Sequence, residues 1–518
     1  MKNNLVEIKK QAILINDLYV KQKFGEVINK CKKLVKKYNN FIPFYNFLGL
    51  AYIQLNQLEE SIKILKNGLD KDPNNLSLKI NLSDAFIKLG NYSESEKILK
   101  KEEKKNKNNL FILFSLGELY RIRKSYSKSL KFFIRAYEID NNFQKISIKI
   151  GNLYLSLGNF EEAKKFIESA NKIYPENTSI DFTLSNLVNY SHNKIHQKKM
   201  LDKFYIQKNL DKEAQIPLCF ALGKSYEDQK EYEKSYNFYK IGNSIKNLTL
   251  ENYTLRIEQE YLKNLKNIFS KKIFQKINKN KMYNKKIIFV VGLPRSGTSL
   301  VHQILASHNS IKGLGETEIL NGYFNKNFLN KKFINKLIIN NQINEKFLEE
   351  ISFEIGSKYE EISENKIPLD KSPFNYFWLG LIKLIFPNVK IIHTTRNLED
   401  TCLSIFKNLF GKQGVLWSYD KKNILEFVQI YKDLTYLWSN NKFIEKYDLN
   451  YETLIKHQTN EIRKLVSFCD LNWDEKCLKF YKNTTPIKSA SLYQTRKPIY
   501  SSSIDQNKKF LKYIKFFN

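Results

Sequence analysis

Four segments of this chain repeat at a fixed interval. Set one above another, "LGLAYIQLNQLEES", "LSDAFIKLGNYSES", "LGELYRIRKSYSKS" and "IGNLYLSLGNFEEA" align Gly49, Ser83, Gly117 and Gly151 in one column, 34 residues apart each time. The following columns keep their chemistry: Tyr52, Phe86, Tyr120 and Tyr154, then Leu58, Tyr92, Tyr126 and Phe160, then Ser61, Ser95, Ser129 and Ala163. Small residues where two helices touch, with aromatics between them, are what a helical hairpin requires. One such hairpin cannot bury its apolar face alone, so the period predicts a stack of them with a continuous core and a concave surface.

The period and the Gly, Tyr, Ala and Pro positions resemble the tetratricopeptide repeat. Pro73 and Pro175 fall at hairpin ends, where a residue without a backbone donor starts a helix but does not sit inside one. A worn copy precedes the four, with Phe24 one period before Leu58. A later copy, "LGKSYEDQKEYEKS", restores the columns with Gly223, Tyr226, Tyr232 and Ser235. About six units are expected over residues 6–245, giving an all-α repeat solenoid over 1–245. A protein or peptide partner in the groove and a rigid scaffold or homodimer surface both fit that expectation.

The chain has 518 residues, enough for two to four domains, and a formal net charge of +33. Nearly all of the basic excess is lysine, spread evenly among asparagines and isoleucines. No basic stripe stands out, so the charge reads as compositional drift and not as a nucleic-acid footprint. Arginine is scarce: three of the eight, Arg295, Arg396 and Arg496, fall in the motifs below. The five cysteines show neither metal-ligand spacing nor a paired framework, which suggests a reducing, cytoplasmic setting. The first residues interrupt every apolar run with charge, predicting neither a signal peptide nor a membrane span.

Residues 246–284 read as a helical, lysine-rich connector, and an α/β domain follows over 285–518. It opens with "KKIIFVVG", a run suited to a strand buried on both faces. Then comes "GLPRSGTSL", with Gly292 and Gly297 framing a loop and a helix-compatible stretch behind it. Strand, glycine loop and helix form the setting of a phosphate-binding loop. In nucleotide triphosphatases the residue after the second glycine is lysine; here it is Thr298. A sulfuryl group carries one less negative charge than a terminal phosphoryl. Backbone donors, Arg295, and the hydroxyls of Thr298 and Ser299 would then suffice without metal. A second signal lies in "VKIIHTTRNLEDTCLSIF": Arg396 ends an expected parallel strand, and Ser404 lies in the next helix. Together they suit a second, separate phosphate.

Residues 285–504 resemble the sulfotransferases that use 3′-phosphoadenosine 5′-phosphosulfate, in particular the branch of tyrosylprotein sulfotransferases and bacterial proteins with tetratricopeptide repeats. "GLPRSGTSL" is similar to that family's 5′-phosphosulfate loop and "RNLEDTCLS" to its 3′-phosphate motif, although Asn397 and Leu398 replace a more usual acidic residue and proline, which puts the local turn in question. The resemblance implies a P-loop-like fold with a central parallel sheet, and donor contacts from Arg295, Ser296, Gly297, Thr298 and Ser299 at one end and Arg396 and Ser404 at the other. It implies Glu316 of "GLGETEIL" as general base, with Glu318 as rival, and Lys371 of "PLDKSPFNY" at the bridging oxygen of the leaving phosphate. Tyr451 is implied as a nucleotide contact, or alternatively as core. Ser491, Arg496 and Lys497 match a C-terminal loop closing on the 3′-phosphate side, although Ile504 stands where the family often has tryptophan. His308 and His393 read as structural, and no metal is expected. The other readings are a kinase or hydrolase with a degenerate loop, which would need an acidic magnesium ligand at a later strand end, and a repeat adaptor with an inactive second domain.

Overall fold

The 34-residue period closes into helix pairs. In a computed structural model, which describes residues 2–192, 194–206, 210–251, 253–269, 277–340, 342–411, 415–442, 444–483, 493, 495–496, 498–499 and 504–517, the chain divides into two compact units at 153/154. In order come α1 (Lys2–Val20), α2 (Phe24–Lys37), α3 (Ile42–Gln54), α4 (Leu58–Lys71), α5 (Leu76–Leu89), α6 (Tyr92–Lys105), α7 (Leu110–Ile122), α8 (Tyr126–Ile139), α9 (Ile146–Leu157) and α10 (Phe160–Ile173). Asparagines start several of them: Asn75 Oδ1 accepts from Leu78 N–H and Asn109 Oδ1 from Ile112 N–H, both at 3.1 Å.

The small-residue column sits where paired helices touch. A Cβ on Gly49 would fall 2.5 Å from Leu65, and one on Gly117 would fall 2.5 Å from the Phe133 ring. Twelve residues on, Ser61 Oγ donates to Gly49 O at 2.9 Å and Ser129 Oγ to Gly117 O at 2.7 Å. In these two pairs the serine fastens the second helix to the backbone of the first.

After α10 the period breaks. Two helices the repeat pattern did not anticipate, α11 (Thr178–Ser185) and α12 (Ile195–Ile206), precede the restored pair α13 (Lys212–Asp228) and α14 (Tyr232–Leu248). They are built around a buried carboxylate instead of a glycine column. Asp181 is fully buried, accepts from Asn171 Nδ2 at 2.9 Å and Lys203 Nζ at 2.6 Å, and lies 3.0 Å from His196 Nε2. In the restored pair the fastening returns, Ser235 Oγ donating to Gly223 O at 2.7 Å.

Within the expected connector, α15 (Arg256–Phe269) shares the core of the domain that follows. Tyr261 meets Trp378 edge-on at 5.0 Å, and Phe269 meets Trp438 edge-on at 5.2 Å. The domain's strands are β1 (Ile288–Gly292), β2 (Ile311–Gly315), β3 (Ile338–Ile339), β4 (Gln342–Ile343), β5 (Ile367–Asp370), β6 (Lys390–Thr395) and β7 (Tyr447–Asn450). Five of them form a sheet in the order β2-β5-β1-β6-β7 with every pair parallel; β3 and β4 pair separately. The helices are α16 (Thr298–Leu305), α17 (Leu320–Asn327), α18 (Lys331–Leu337), α19 (Glu345–Ser363), α20 (Leu379–Ile385), α21 (Leu398–Phe406), α22 (Lys421–Asn440), α23 (Tyr451–Lys456) and α24 (Gln458–Phe468). β1 is buried along its whole length. Phe289 and Val291 enter one core while Ile288 and Val290 enter another, as expected of a strand covered on both faces. Among the described residues, no helix is long and apolar enough to cross a membrane.

Candidate active site

Parallel strands deliver their carboxyl ends to one edge of the sheet, where ligands of such folds bind. β1 ends in the glycine loop, whose backbone leaves the ordinary regions three times: Gly292 has φ 145°, Arg295 φ 69° and Gly297 φ 105°. Left-handed backbone at a non-glycine such as Arg295 is uncommon and costs energy that its surroundings must offset. Gly292 and Gly297 are also required by close approach. A Cβ on the first would lie 2.5 Å from Thr394 O, and one on the second 2.6 Å from the Tyr451 ring. Gly297 is the N-cap of α16 and offers no side chain to it, so the N–H groups of the first turn face the loop. Ser296, Thr298 and Ser299 are buried around it, and Ser296 Oγ lies 2.7 Å from Thr394 Oγ1 on β6.

The second motif meets the first here. Arg396, directly after β6, donates from Nη1 to Arg295 O at 3.2 Å, and its guanidinium lies 4.9 Å from the centre of the Tyr451 ring. Arg295 Nε donates to Ser404 Oγ on α21 at 3.0 Å. The sequence reading assigned Arg295 and Ser404 to opposite ends of the donor; the fold brings them into direct contact, because β6 lies beside β1 and the loop turns the arginine toward α21. Asn397 resolves the departure in that motif: its Oδ1 accepts from Asp400 N–H at 3.0 Å and caps α21. Beside the cluster, Leu293, Ser296, His393, Arg396 and Tyr431 help to line a cavity of about 480 Å³.

On the other side of β1, the ends of β2 and β5 bring Glu316 and Lys371 together as an ion pair. The lysine side chain is 3% exposed and the glutamate 49%, so a buried ammonium meets a half-exposed carboxylate. This lysine is no solvated surface residue. Glu318 is turned elsewhere, its carboxylate lying over Gly322 one turn along the chain. Asp370, before the lysine, is fully buried and accepts from Thr317 Oγ1 at 2.6 Å, Tyr359 OH at 2.5 Å and Ser372 Oγ at 2.7 Å. Burial raises its carboxyl above the usual range, and these hydrogen bonds oppose that rise.

The C-terminal candidates divide. Ser491 and Lys497 lie outside the described residues. Arg496 is set against the α9–α10 turn: its Nη2 donates to Ser156 O at 3.4 Å, and a Cβ on Gly158 would fall 2.8 Å from its Nε. Burial pulls its guanidinium down to about 10. Nearby, Tyr493 stacks on Phe160 at 5.4 Å. Arg496 was expected on the 3′-phosphate side; the contacts described for it are with the turn between α9 and α10. His308 bonds Asn472 O at 2.8 Å; His393 lies between Asp448 Oδ1 at 2.6 Å and Tyr431 OH at 2.5 Å.

His302 was missed by sequence reasoning. It stands on α16, 3% exposed, its Nε2 accepting from Gly315 N–H at 3.1 Å. Burial, with the nearby Lys371 charge, pulls its imidazole down to about 3. The signal that might have found it is its place on the helix begun by the glycine loop, five residues after Gly297. All five cysteines are buried and unpaired. Among the described residues, no group of three His, Cys, Asp or Glu is arranged to hold a metal ion.

Comparison with known proteins agrees with this architecture. Residues 288–475 match the model of the sulfotransferase family, and residues 52–109 and 145–177 match tetratricopeptide repeat models. An uncharacterized protein of Aquifex aeolicus is 26% identical over 326 residues, covering 61% of this chain and 43% of that protein. This chain thus spans less than half of that relative's length. A putative protein-tyrosine sulfotransferase of Caenorhabditis briggsae is 26% identical over 204 residues, 38% of this chain and 69% of that one. Among solved structures, the sulfotransferase domain of a Synechococcus olefin synthase is 16% identical, with a TM-score of 0.33 over 44% of this chain and 88% of that one. Segments that match tetratricopeptide repeat models thus precede a segment that matches the model of the sulfotransferase family.

Proposed function

We propose that the chain transfers a sulfuryl group from 3′-phosphoadenosine 5′-phosphosulfate to a hydroxyl or amine acceptor, and that the acceptor is a tyrosine of a polypeptide. The observation that carries the donor assignment is the cluster joining Arg295, Ser404 and Arg396 across a loop without lysine. Two guanidinium groups and the first turn of α16 suit a compound with anions at both ends. Arg295 and the α16 N–H groups take the phosphosulfate and Arg396 the 3′-phosphate, while Ser404, bonded to Arg295, stands between the two ends. Tyr451, packed on Gly297 and beneath Arg396, borders the nucleotide.

Glu316 removes the proton from the acceptor hydroxyl as its oxygen attacks sulfur in line. The S–O bond to the 5′-phosphate breaks, and Lys371 stabilises the charge that develops on the departing oxygen. The product nucleotide is 3′,5′-adenosine bisphosphate. Before transfer, Lys371 holds Glu316 at the strand ends through their ion pair. The tyrosine acceptor rests on the protein-tyrosine sulfotransferases among the relatives, and a polypeptide substrate fits the attached repeats.

Calorimetry tests the donor. Binding of 3′,5′-adenosine bisphosphate should be tighter than that of ATP and independent of magnesium. Tighter ATP binding, or a demand for magnesium, would defeat the reading. Labelled donor incubated with cell extract should then label protein; label in saccharide or lipid would overturn the tyrosine assignment.

A further inference from the structure

His302 stands on the helix that the glycine loop begins, yet its imidazole reaches across to the end of β2. The reach depends on Gly313: a Cβ there would lie 2.6 Å from Ala306 Cβ and 3.0 Å from His302 Nε2, so only glycine lets strand and helix approach this closely. Because Nε2 accepts the Gly315 N–H, the ring carries its proton on Nδ1. Gly315 is gripped from its other side as well, its carbonyl accepting the Lys371 N–H at 2.9 Å. Its φ of 71° suits glycine, although a Cβ there would meet nothing within 4 Å. It is therefore conformation and not space that calls for glycine at this position. The next residue is Glu316, whose carboxylate pairs with the Lys371 ammonium.

We propose that His302 is a positioning residue: by holding Gly315 against the backbone of Lys371, it fixes the turn that aims Glu316 and ties that turn to the helix of the phosphosulfate loop. This rests on the reading of Glu316 as the base. The helix that binds the donor and the strand end that carries the base thereby move as one piece. Small displacements of a reacting group cost rate more than they cost binding. Protonation of Nε2 would break the clamp and set a second positive charge beside Lys371. A buried, neutral imidazole meets both requirements.

Two variants separate acceptor from bulk. His302→Leu fills the site without an acceptor, whereas His302→Gln keeps one. The leucine variant should lose about 10-fold or more in kcat while its affinity for 3′,5′-adenosine bisphosphate stays within about twofold, and the glutamine variant should recover most of the loss. Equal kcat in the leucine variant and the parent, parallel loss of nucleotide affinity, or a glutamine variant no better than leucine would overturn the proposal. Should the leucine variant not fold, nitrogen NMR of the parent chain with labelled histidine decides, the resonances being assigned by their loss in His302→Gln. The ring should carry its proton on Nδ1 and not titrate between about pH 5 and 8. A proton on Nε2, or titration in that range, would overturn the clamp. A parent chain that transfers no sulfuryl group would instead overturn the reading of Glu316, and the NMR result would still decide whether His302 holds Gly315.

Discussion

At the scale of single residues, Glu316 and Lys371 form the pair that chemistry at this site would use, and removing the carboxylate's charge separates catalysis from binding. Glu316→Gln is expected to lower single-turnover transfer by roughly 10² to 10⁴ while calorimetric affinity for 3′,5′-adenosine bisphosphate is retained. Unchanged turnover would remove Glu316 from the mechanism. His302 adds a pH dependence whose direction follows from its burial. An unfolded histidine takes a proton below about 6.5, whereas the folded ring does so only near about 3, so the unfolded state binds more protons between these values. Stability contributed by the neutral ring is present above about pH 6.5 and is lost as the pH falls toward 3, at about 1.4 kcal/mol per pH unit at the steepest. Denaturant unfolding of His302→Gln across that window should show a shallower fall than the parent. An identical fall would mean that the ring is protonated in the folded chain.

At the scale of elements, the repeat pairs are held by packing into the small column and, in the α3–α4, α7–α8 and α13–α14 pairs, by a buried serine hydrogen bond. Ser129→Ala removes the bond to Gly117 O and leaves that carbonyl at the packed interface, an expected cost of about 1 kcal/mol in urea unfolding of the first unit. The same change at an exposed serine should cost less than half as much. The glycine loop shows the converse dependence on neighbours. Its frame is visible in the sequence, but the need for glycine at 292 and 297 comes from Thr394 and Tyr451, residues that approach from about one hundred and more positions away.

At the scale of the whole second unit, the motif around Arg396 has a second duty. Asp400, 2% exposed and 3.9 Å from Arg396 Nη2, accepts the backbone N–H of Asp505 at 2.8 Å and of Asn507 at 2.7 Å. Glu399 accepts the N–H of Phe516 at 3.1 Å and Phe517 at 2.6 Å. The segment over 504–517 is thus fastened to the helix that carries Ser404. Asp400→Ala should free residues 505–507, seen as faster limited proteolysis there, and weaken 3′,5′-adenosine bisphosphate binding by about 3-fold to 10-fold through the loss of an arginine-orienting charge. Proteolysis at the parent rate would mean that other contacts hold the segment.

Much of this protein is decided locally. The helix pairs follow from a 34-residue spacing of small and aromatic residues, β1 from its unbroken apolar run, and the loop after it from glycines between strand and helix. Such features survive in a linear reading because their causes lie within a few turns of chain. Tertiary structure decided what distance in sequence conceals: that α11 and α12 gather about a buried aspartate, that Arg295 reaches Ser404, that Arg496 meets the turn between α9 and α10, and that His302 grips Gly315. These contacts depend on which strand lies beside β1 and how closely a helix may approach it. Burial then keeps the His302 ring neutral, and no local pattern of residues encodes that.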